Sequence, residues 1–423
     1  MTRASLFSET KGRPNHRFES DAKLVRLNRR VRRLKAYDMA LIDLWKKDRA
    51  QIAEKHIQQV IAFAGDGKLS DDSAASSELR VFLRNVPSDL LATYVSQCLQ
   101  ESFQNSGFAL QDLVNEIGRR LDFSVTHGRY RGTSGHLGHD GIWADGNRHS
   151  IVVEVKTTDA YRIDLDTIAA YRQSLARSSV INLENSSMLV VVGRQDTGDL
   201  EAQIRGSRHA WDVRVISVEA LFRMLKLKEE VEDPSILRRI HEILIPREFT
   251  RLDPIVEIAF AAVEDVKQDP ETSVADDDEE SEGKKFTPVA FHAECIARIE
   301  KHLNATLIKQ SRASFASPDD RVRVLCAVSR FHERVKRYWF AFHPHQEQFL
   351  SGAEHGFVAF GCGDAETLFL IPFADFRPWL EFFNKTEKPD RFYWHVTIRK
   401  SGKAYVMTGR AGTKDFDISK YKI

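Results

Sequence analysis

The feature that most constrains the fold of this chain is a pair of short apolar runs joined by a turn sequence. Residues 140–144 and 151–157 are rich in apolar and β-branched residues. The segment Asp145-Gly146-Asn147 between them contains the residues that favour a tight turn between antiparallel strands. The sequence therefore predicts a β-hairpin at this point of the chain.

The register of the hairpin follows from its turn. If Ala144 faces Ser150, then Asp140 faces Glu154, and their side chains are about 5 Å apart. Glu154 and Lys156 are two residues apart on one strand, so their side chains point to the same face of the sheet. The hairpin thus predicts a cluster of two carboxylates and one amine.

Two carboxylates opposite each other in a sheet repel, unless a cation lies between them. Mg²⁺ prefers oxygen ligands and is commonly held by one or two protein carboxylates together with substrate phosphate. It would lower the pKa of a bound water and offset charge that develops on a scissile phosphate. We therefore expect Asp140 and Glu154 to bind Mg²⁺, with the carbonyl of Val155 as a further ligand. Lys156 would orient the attacking water or stabilise the transition state.

The acid-x-Lys spacing alone is not specific, because it recurs in this chain, for example at 9–11, 21–23, 265–267 and 282–284. None of these triplets follows an apolar strand, and none has an upstream Asp held by a hairpin. The alternative interpretation of Glu154 and Lys156 is an exposed hairpin face with a cross-strand Glu–Lys pair.

Strand and helix patterns alternate around the hairpin, which predicts an α/β core with a mixed sheet. Strands are predicted at 123–126, 140–144, 151–157, 188–192 and 213–216. Helices are predicted at 88–103, 110–121, 165–175, 200–207 and 218–227.

The chain divides into regions of different composition, namely a basic N-terminal helical region at 1–84, the α/β region at 85–269, an acidic linker at 270–286 and a separate C-terminal α+β domain at 287–423. Apolar spacings of three and four residues predict a long helix at 20–63, which would dimerise the protein or lie on another domain. The linker is nearly free of apolar residues and should stay extended. Target recognition, sensing and partner binding are all open for the last domain.

Composition excludes some classes of protein. Lys and Arg number 62 against 61 Asp and Glu, so net charge does not indicate a partner. The four cysteines are far apart, which excludes a disulfide framework and common zinc spacings and favours a reducing compartment. The sequence contains no signal-peptide pattern and no run of about 20 apolar residues. We therefore expect a cytoplasmic protein that does not act in a membrane.

The segment His139-Asp140-Gly141, followed by Ile151-Val152-Val153-Glu154-Val155-Lys156-Thr157-Thr158, resembles the active-site motif of the PD-(D/E)xK, or restriction-endonuclease-like, nuclease superfamily. The resemblance covers about 85–230, and the whole chain is similar to uncharacterised bacterial restriction-endonuclease-type proteins. It implies a nuclease domain at 85–269 whose core is a central mixed sheet flanked by helices.

The resemblance also implies roles for individual residues. Asp140 and Glu154 would bind the metal and Lys156 would assist catalysis, and His139 stands where the family has proline. The family often adds an acid from the preceding helix, for which Glu116 is the candidate. Many members carry a polar residue on the helix after the Lys strand, where Tyr171 and Gln173 lie in an order that differs from the usual motif.

Two further features suit contact with nucleic acid. Arg129 and Arg131 flank an aromatic residue in a loop before the hairpin, an arrangement that suits phosphate contact, although a plain connecting loop explains it equally well. We expect these arginines and Tyr171 to contact DNA. The basic residues crowded between 11 and 35 would hold the DNA backbone, or would form the solvated face of a dimerising helix.

These observations predict a Mg²⁺-dependent endonuclease that hydrolyses DNA phosphodiester bonds in restriction or anti-phage defence, with Mn²⁺ able to replace Mg²⁺. A homodimer or higher homo-oligomer is expected, because cutting both strands needs two such centres, and a defence-system partner protein would be compatible with it. The alternatives are a repair or recombination nuclease on branched or single-stranded DNA or on RNA, and a non-catalytic DNA-binding scaffold.

Overall fold

The computed structural model describes residues 40–101, 103–131, 138–146, 149–157, 162–193, 198–232, 234–246, 289–387 and 392–423. The basic stretch at 11–35 and the acidic linker at 270–286 lie outside the described residues. The fold is mixed α/β, as the sequence predicts. None of the described helices combines the length and the apolar composition that crossing a membrane requires.

The helices up to residue 246 are α1 Ala40–Lys47, α2 Arg49–Ala53, α3 Ile57–Phe63, α4 Ala74–Asn85, α5 Ser88–Gln100, α6 Ser106–Arg120, α7 Leu165–Arg177, α8 Gly198–Arg205, α9 Val218–Glu230 and α10 Pro234–Leu244. The strands of this part are β1 Ser124–His127, β2 Gly141–Ala144, β3 Ser150–Lys156, β4 Ser186–Val192 and β5 Val213–Ser217. Their ends differ from the sequence-based expectation by a few residues.

The prediction of one long helix at 20–63 is wrong for its described part. Residues 40–63 form α1, α2 and α3, because Asp48 and His56 each begin a new helix. The Asp48 side chain accepts from the backbone N–H of Gln51, and the His56 side chain accepts from that of Gln58. These bonds satisfy amide groups that a helix start leaves without partners.

The first sheet has the strand order β1-β2-β3-β4-β5. The first three strands are antiparallel, and β3, β4 and β5 are parallel, so the predicted mixed sheet is confirmed. One face packs on α6 and on the N-terminal helices. The buried residues of this core are drawn from the chain between Leu41 and Leu244. Residues 40–84 therefore share a core with the α/β region, and the expected boundary at 84/85 does not separate two cores.

The other face of this sheet packs on α7 and α8. Strand side chains alternate between the two faces, so Val153 lies in the core on the α6 side, whereas Val152 lies in the core on the α7 side. Ile142 of β2 also belongs to the α7 side. Asp140, Glu154 and Lys156 share the parity of Ile142 and Val152, which places them on the face covered by α7.

The C-terminal part, 289–423, contains α11 Val289–Leu303, β6 Ile308–Lys309, β7 Ser314–Ala316, β8 Val322–Ser329, β9 Tyr338–Phe342, α12 Pro344–Ser351, β10 His355–Cys362, β11 Leu368–Pro372, α13 Phe373–Phe376, β12 Asn384–Glu387, β13 Phe392–Ser401, β14 Ala404–Thr408 and β15 Phe416–Asp417, with 3₁₀ turns at Arg377–Phe382 and Ser419–Tyr421. One sheet has the order β11-β10-β8-β7-β6. The other has the order β12-β13-β14-β15, with β9 paired to β13. Buried aromatic residues fill the space between these sheets, and α11 covers the outer face of the first.

The C-terminal part has its own cores and also contacts the α/β part through Glu232. This buried carboxylate accepts hydrogen bonds from the Ser311 hydroxyl at 2.8 Å, the Ala313 amide at 2.5 Å and the Gln346 side chain at 3.2 Å. A buried charge needs such partners, because leaving it without them costs several kcal/mol. The two parts are therefore joined by a specific polar contact.

Candidate active site

The hairpin has the predicted register. Gly141 pairs with Val153 and Ala144 pairs with Ser150, so Asp140, one residue beyond the end of β2, lies opposite Glu154. The amide of Asp140 donates to the carbonyl of Val153 at 3.0 Å. The Asp140 carboxylate, through Oδ2, accepts from the Val155 amide at 2.6 Å. The side chain of Asp140 thus takes the place of a main-chain acceptor at the end of the hairpin, which holds its carboxylate beside β3.

Glu154 and Lys156 form an ion pair on the same face. Nζ of Lys156 lies 2.6 Å from Oε1 of Glu154. Glu154 is buried, and its second oxygen, Oε2, has no hydrogen-bond partner among the described residues. A buried carboxylate oxygen without a partner is costly, which makes it an available ligand for a cation.

The pKa values of both carboxylates are raised. Removal from solvent and the charge of Glu154 raise the pKa of Asp140 to about 8. Burial also raises the pKa of Glu154, against the opposing effect of Lys156. Burial lowers the pKa of Lys156, but the two carboxylates outweigh it and the net pKa is raised, so this amine stays protonated. Raised carboxylate pKa values with a paired cation are typical of a functional site.

Helix α6 holds the main chain of Asp140. The carbonyl oxygen of Asp140 accepts from the side-chain amides of Gln111 at 3.0 Å and Asn115 at 2.9 Å, and from the Gly128 amide at 2.9 Å. Oδ1 of Asn115 in turn accepts from the indole N–H of Trp143. Gln111 and Asn115 are not among the site residues predicted above, although two amides four residues apart on an apolar helix are a signal that could have found them.

This arrangement requires glycine next to Asp140. A Cβ at Gly141 would lie 2.2 Å from Oδ1 of Asn115. A Cβ at Gly128 would lie 1.9 Å from the carbonyl oxygen of His139. Both distances are far below van der Waals contact, so a side chain at either position would displace the backbone around Asp140.

The expected additional acid, Glu116, is not brought to the carboxylate pair. Its oxygens accept from Arg119 at 2.6 and 2.9 Å and from Arg120 at 2.8 Å. Burial alone would raise the pKa of Glu116, but these arginines outweigh it and lower the pKa. Arg120 also donates to Ser88 and to the carbonyl of Val86. We therefore correct the expectation, since Glu116 belongs to a buried ion-pair network beside α5.

Helix α7 presents one of its two candidate residues to the site. Tyr171 is partly buried, and its pKa is raised by burial and by the charges of Glu154 and Asp140, against the opposing charge of Lys156. Gln173 is exposed and accepts from Arg177 at 3.5 Å. Side chains two residues apart on a helix point in nearly opposite directions, so Gln173 does not point toward the site as Tyr171 does. The expectation that Gln173 lies at the site is therefore corrected.

The loop before the hairpin is anchored by its aromatic residue. Tyr130 is buried and donates to Asp112, which also accepts from Arg80 at 2.8 Å. Arg129 is partly exposed, 4.0 Å from Asp72, and Arg131 is exposed with its guanidinium 5.7 Å from the centroid of the Phe108 ring. The loop therefore presents two arginines at the surface on a fixed aromatic anchor.

The residues present fit a cation with few protein ligands. Within the described ranges there is no group of three or more His, Cys, Asp and Glu side chains placed to hold a metal ion. Asp140 and Glu154 form a pair, with an oxygen on Glu154 that lacks a partner among the described residues, and Mg²⁺ commonly uses one or two carboxylates.

Comparison of the chain with protein-family models and with curated proteins finds no match in either set. What the site can do therefore follows from its own residues.

Proposed function

We propose that this protein is a Mg²⁺-dependent endodeoxyribonuclease of the PD-(D/E)xK type, which hydrolyses DNA phosphodiester bonds in restriction or anti-phage defence. The observation that carries the proposal is the pair Asp140 and Glu154, whose pKa values are both raised on one face of the hairpin, with Lys156 beside them. The order of α6, β1, β2, β3, α7 and β4 supports a restriction-endonuclease-like core.

Each residue has a role that its surroundings support. Asp140 and Glu154 would hold Mg²⁺ or Mn²⁺, with the Val155 carbonyl as a further ligand. The ion supplies Lewis acidity toward the phosphate and activates water. Lys156 is protonated, so it stabilises negative charge on the phosphate rather than accepting a proton. The surface arginines of the loop, Arg129 and Arg131, would contact DNA phosphates.

A dimer or higher homo-oligomer would suit the chemistry of a double-strand cut, because the described residues of one chain carry one such centre. A partner protein of a defence system would add to this assembly. Residues 289–423 would then provide recognition or control, since they contact the α/β part through Glu232.

The test is nicking of supercoiled plasmid DNA by the full-length protein. We expect cleavage with Mg²⁺ or Mn²⁺, none with EDTA, and none by Asp140→Asn or Glu154→Gln. The matched control is Glu184→Gln, an exposed carboxylate before β4, near the opposite end of the β3–β4 pair from Lys156. Retention of full activity by Asp140→Asn would refute the assignment. Metal-independent DNA binding without cleavage would instead support a scaffold, and cleavage confined to branched, single-stranded or RNA substrates would support a repair or recombination nuclease.

A further inference from the structure

A cavity of about 580 Å³ lies in the C-terminal part, between α11, β8 and β9. Its volume falls in the range of small-molecule sites. Most of its wall is apolar or aromatic, with Ile296, Phe315, Val328 and Phe340 among the contributors. The cavity contains none of the residues assigned to cleavage.

Three nitrogen-containing rings, those of His292, Trp339 and His343, line this cavity. His292 donates from Nε2 to the carbonyl of Cys326 at 3.0 Å, and burial lowers the pKa of this histidine. The neutral ring then carries a lone pair on Nδ1, which can accept a hydrogen bond from an N–H group of a ligand. Trp339 donates from its indole nitrogen to Nδ1 of His395 at 3.0 Å, which fixes the orientation of the indole.

The charged residues of the wall are paired within the protein. Lys309 lies 2.7 Å from Glu230, and Glu232 accepts hydrogen bonds from several neighbours. Arg312 also has an interaction within the protein. Because these charges already have partners, the cavity favours an uncharged ligand over a phosphate or a carboxylate.

Aromatic side chains continue from the cavity onto the outer face of the sheet that contains β9 and β13. Trp339 and His343 line the cavity, and each also contacts Tyr393, with ring centroids 6.3 and 5.5 Å apart. His395 lies beside them, 5.5 Å from Trp339 and 5.1 Å from Tyr393. Successive aromatic rings of this kind suit the stacking of planar bases.

We propose that this cavity binds one heteroaromatic base, stacked against Trp339 and hydrogen-bonded to His292. The base would come either from a free nucleoside or from a strand of DNA, since both present the same uncharged ring. The inference goes beyond DNA cleavage and does not depend on it.

The test is calorimetric titration of the full-length protein in EDTA with the four deoxynucleosides, with deoxyribose 5-phosphate as the ligand that lacks a base. We expect at least one deoxynucleoside to bind with Kd on the order of 0.1 mM, as the efficiency of ligands of this size implies. Deoxyribose 5-phosphate should not bind. Trp339→Ala should weaken binding about tenfold, because it removes the stacking surface.

A matched pair of variants locates the site. Ala293 and Ala297 are both exposed on α11, but only Ala293 lines the cavity. Ala293→Leu should abolish binding, whereas Ala297→Leu should leave it unchanged, and thermal unfolding should show both variants folded.

A short single-stranded oligonucleotide and its abasic counterpart identify the source of the base. If the oligonucleotide binds more tightly than the free nucleosides, and if this binding is lost in the abasic form and in Ala293→Leu, the base comes from DNA. Tighter binding of the free nucleoside assigns it to a small molecule. The proposal is overturned if no base-containing ligand binds at about 1 mM, or if Ala293→Leu leaves all such binding unchanged.

Discussion

The side-chain amide of Asn115 donates to the main-chain carbonyl of Asp140 at 2.9 Å, while Oδ1 of the same Asn115 accepts from the indole of Trp143. One helix residue thereby connects the buried core to the carboxylate pair. Removing a group that orients a ligating carboxylate typically lowers metal affinity or activity by about 10- to 100-fold.

Asn115→Ala should therefore lower both Mg²⁺ affinity and plasmid nicking about tenfold or more. It should also lower the free energy of unfolding by about 1–3 kcal/mol, because the buried Trp143 donor loses its acceptor. Gln111→Ala is the matched variant, since Gln111 also donates to Asp140 and does not bond to Trp143. It should reproduce the loss of metal affinity with a smaller loss of stability. Unchanged Mg²⁺ affinity in both variants, measured by calorimetry, would contradict the positioning role.

The raised pKa of Asp140 predicts how stability depends on pH without metal. The folded pKa is about 8 against 3.8 for the unfolded chain, so between these values the folded protein holds a proton that the unfolded chain has lost. The contribution of this proton to the free energy of unfolding is therefore fully present below about pH 4 and is lost as pH rises through 8. The slope in this range is about 1.4 kcal/mol per pH unit for one proton. Asp140→Asn should flatten this slope in urea unfolding with EDTA, and Glu184→Gln should keep it. An equal slope in Asp140→Asn would show that another group is responsible.

Lys156 forms an ion pair with Glu154, and this cationic partner role differs from the role of a metal ligand. Lys156→Ala should lower the rate of DNA cleavage on the order of 10²–10³-fold, because the transition state loses a cation. Mg²⁺ affinity should be unchanged or tighter, since Glu154 no longer has a competing partner. Lys156→Arg keeps the charge and should retain more activity than Lys156→Ala. A fall in Mg²⁺ affinity that parallels the fall in rate would show that Lys156 supports the ion instead.

Tyr171 and Gln173 lie on the same helix and differ in direction. Tyr171→Phe should lower cleavage about tenfold, because we expect the Tyr171 hydroxyl to donate to a DNA phosphate and the variant would lose one hydrogen bond to a charged group. Gln173→Ala should leave cleavage unchanged, because this side chain is exposed and contacts Arg177. Initial rates on plasmid at saturating Mg²⁺ distinguish the two, and an equal effect of both substitutions would contradict the placement of α7.

Glu232 connects the α/β part with the C-terminal part. Burial alone would raise its pKa, but hydrogen bonds from His345, Ala313 and Ser311 outweigh it and lower the pKa to about 2. A depressed pKa contributes stability that is present above the unfolded value of about 4.5 and is lost as pH falls through 2. Glu232→Gln should lower the free energy of unfolding by about 1–3 kcal/mol near neutral pH and weaken this acid dependence.

The matched control for Glu232 is Glu230→Gln. Glu230 forms a partly exposed ion pair with Lys309, and such pairs contribute less than about 1 kcal/mol. Urea unfolding should therefore separate the two variants. Equal losses of stability would mean that the contact between the two parts does not depend on Glu232.

The hairpin and its register could be predicted from the amino-acid sequence alone. Alternating apolar residues select a strand, and the turn at Asp145 and Gly146 sets the pairing, so these signals lie within about twenty residues of chain. The mixed sheet was predictable for the same reason, because its strands and helices each carry their own periodicity. The expectation of two carboxylates and a lysine on one face needed only that register.

Contacts between segments that are distant in sequence establish which other residues reach the site. Glu116 and Asn115 are neighbours on one buried helix, and the chain alone cannot indicate that Glu116 meets Arg119 and Arg120 while Asn115 meets Asp140. The raised pKa of Asp140 likewise depends on burial by distant segments, and the helix predicted at 20–63 divides in its described part because Asp48 begins a second helix. Periodicity and turn chemistry are local, whereas burial, partner choice and ion pairing arise from segments that meet only after folding.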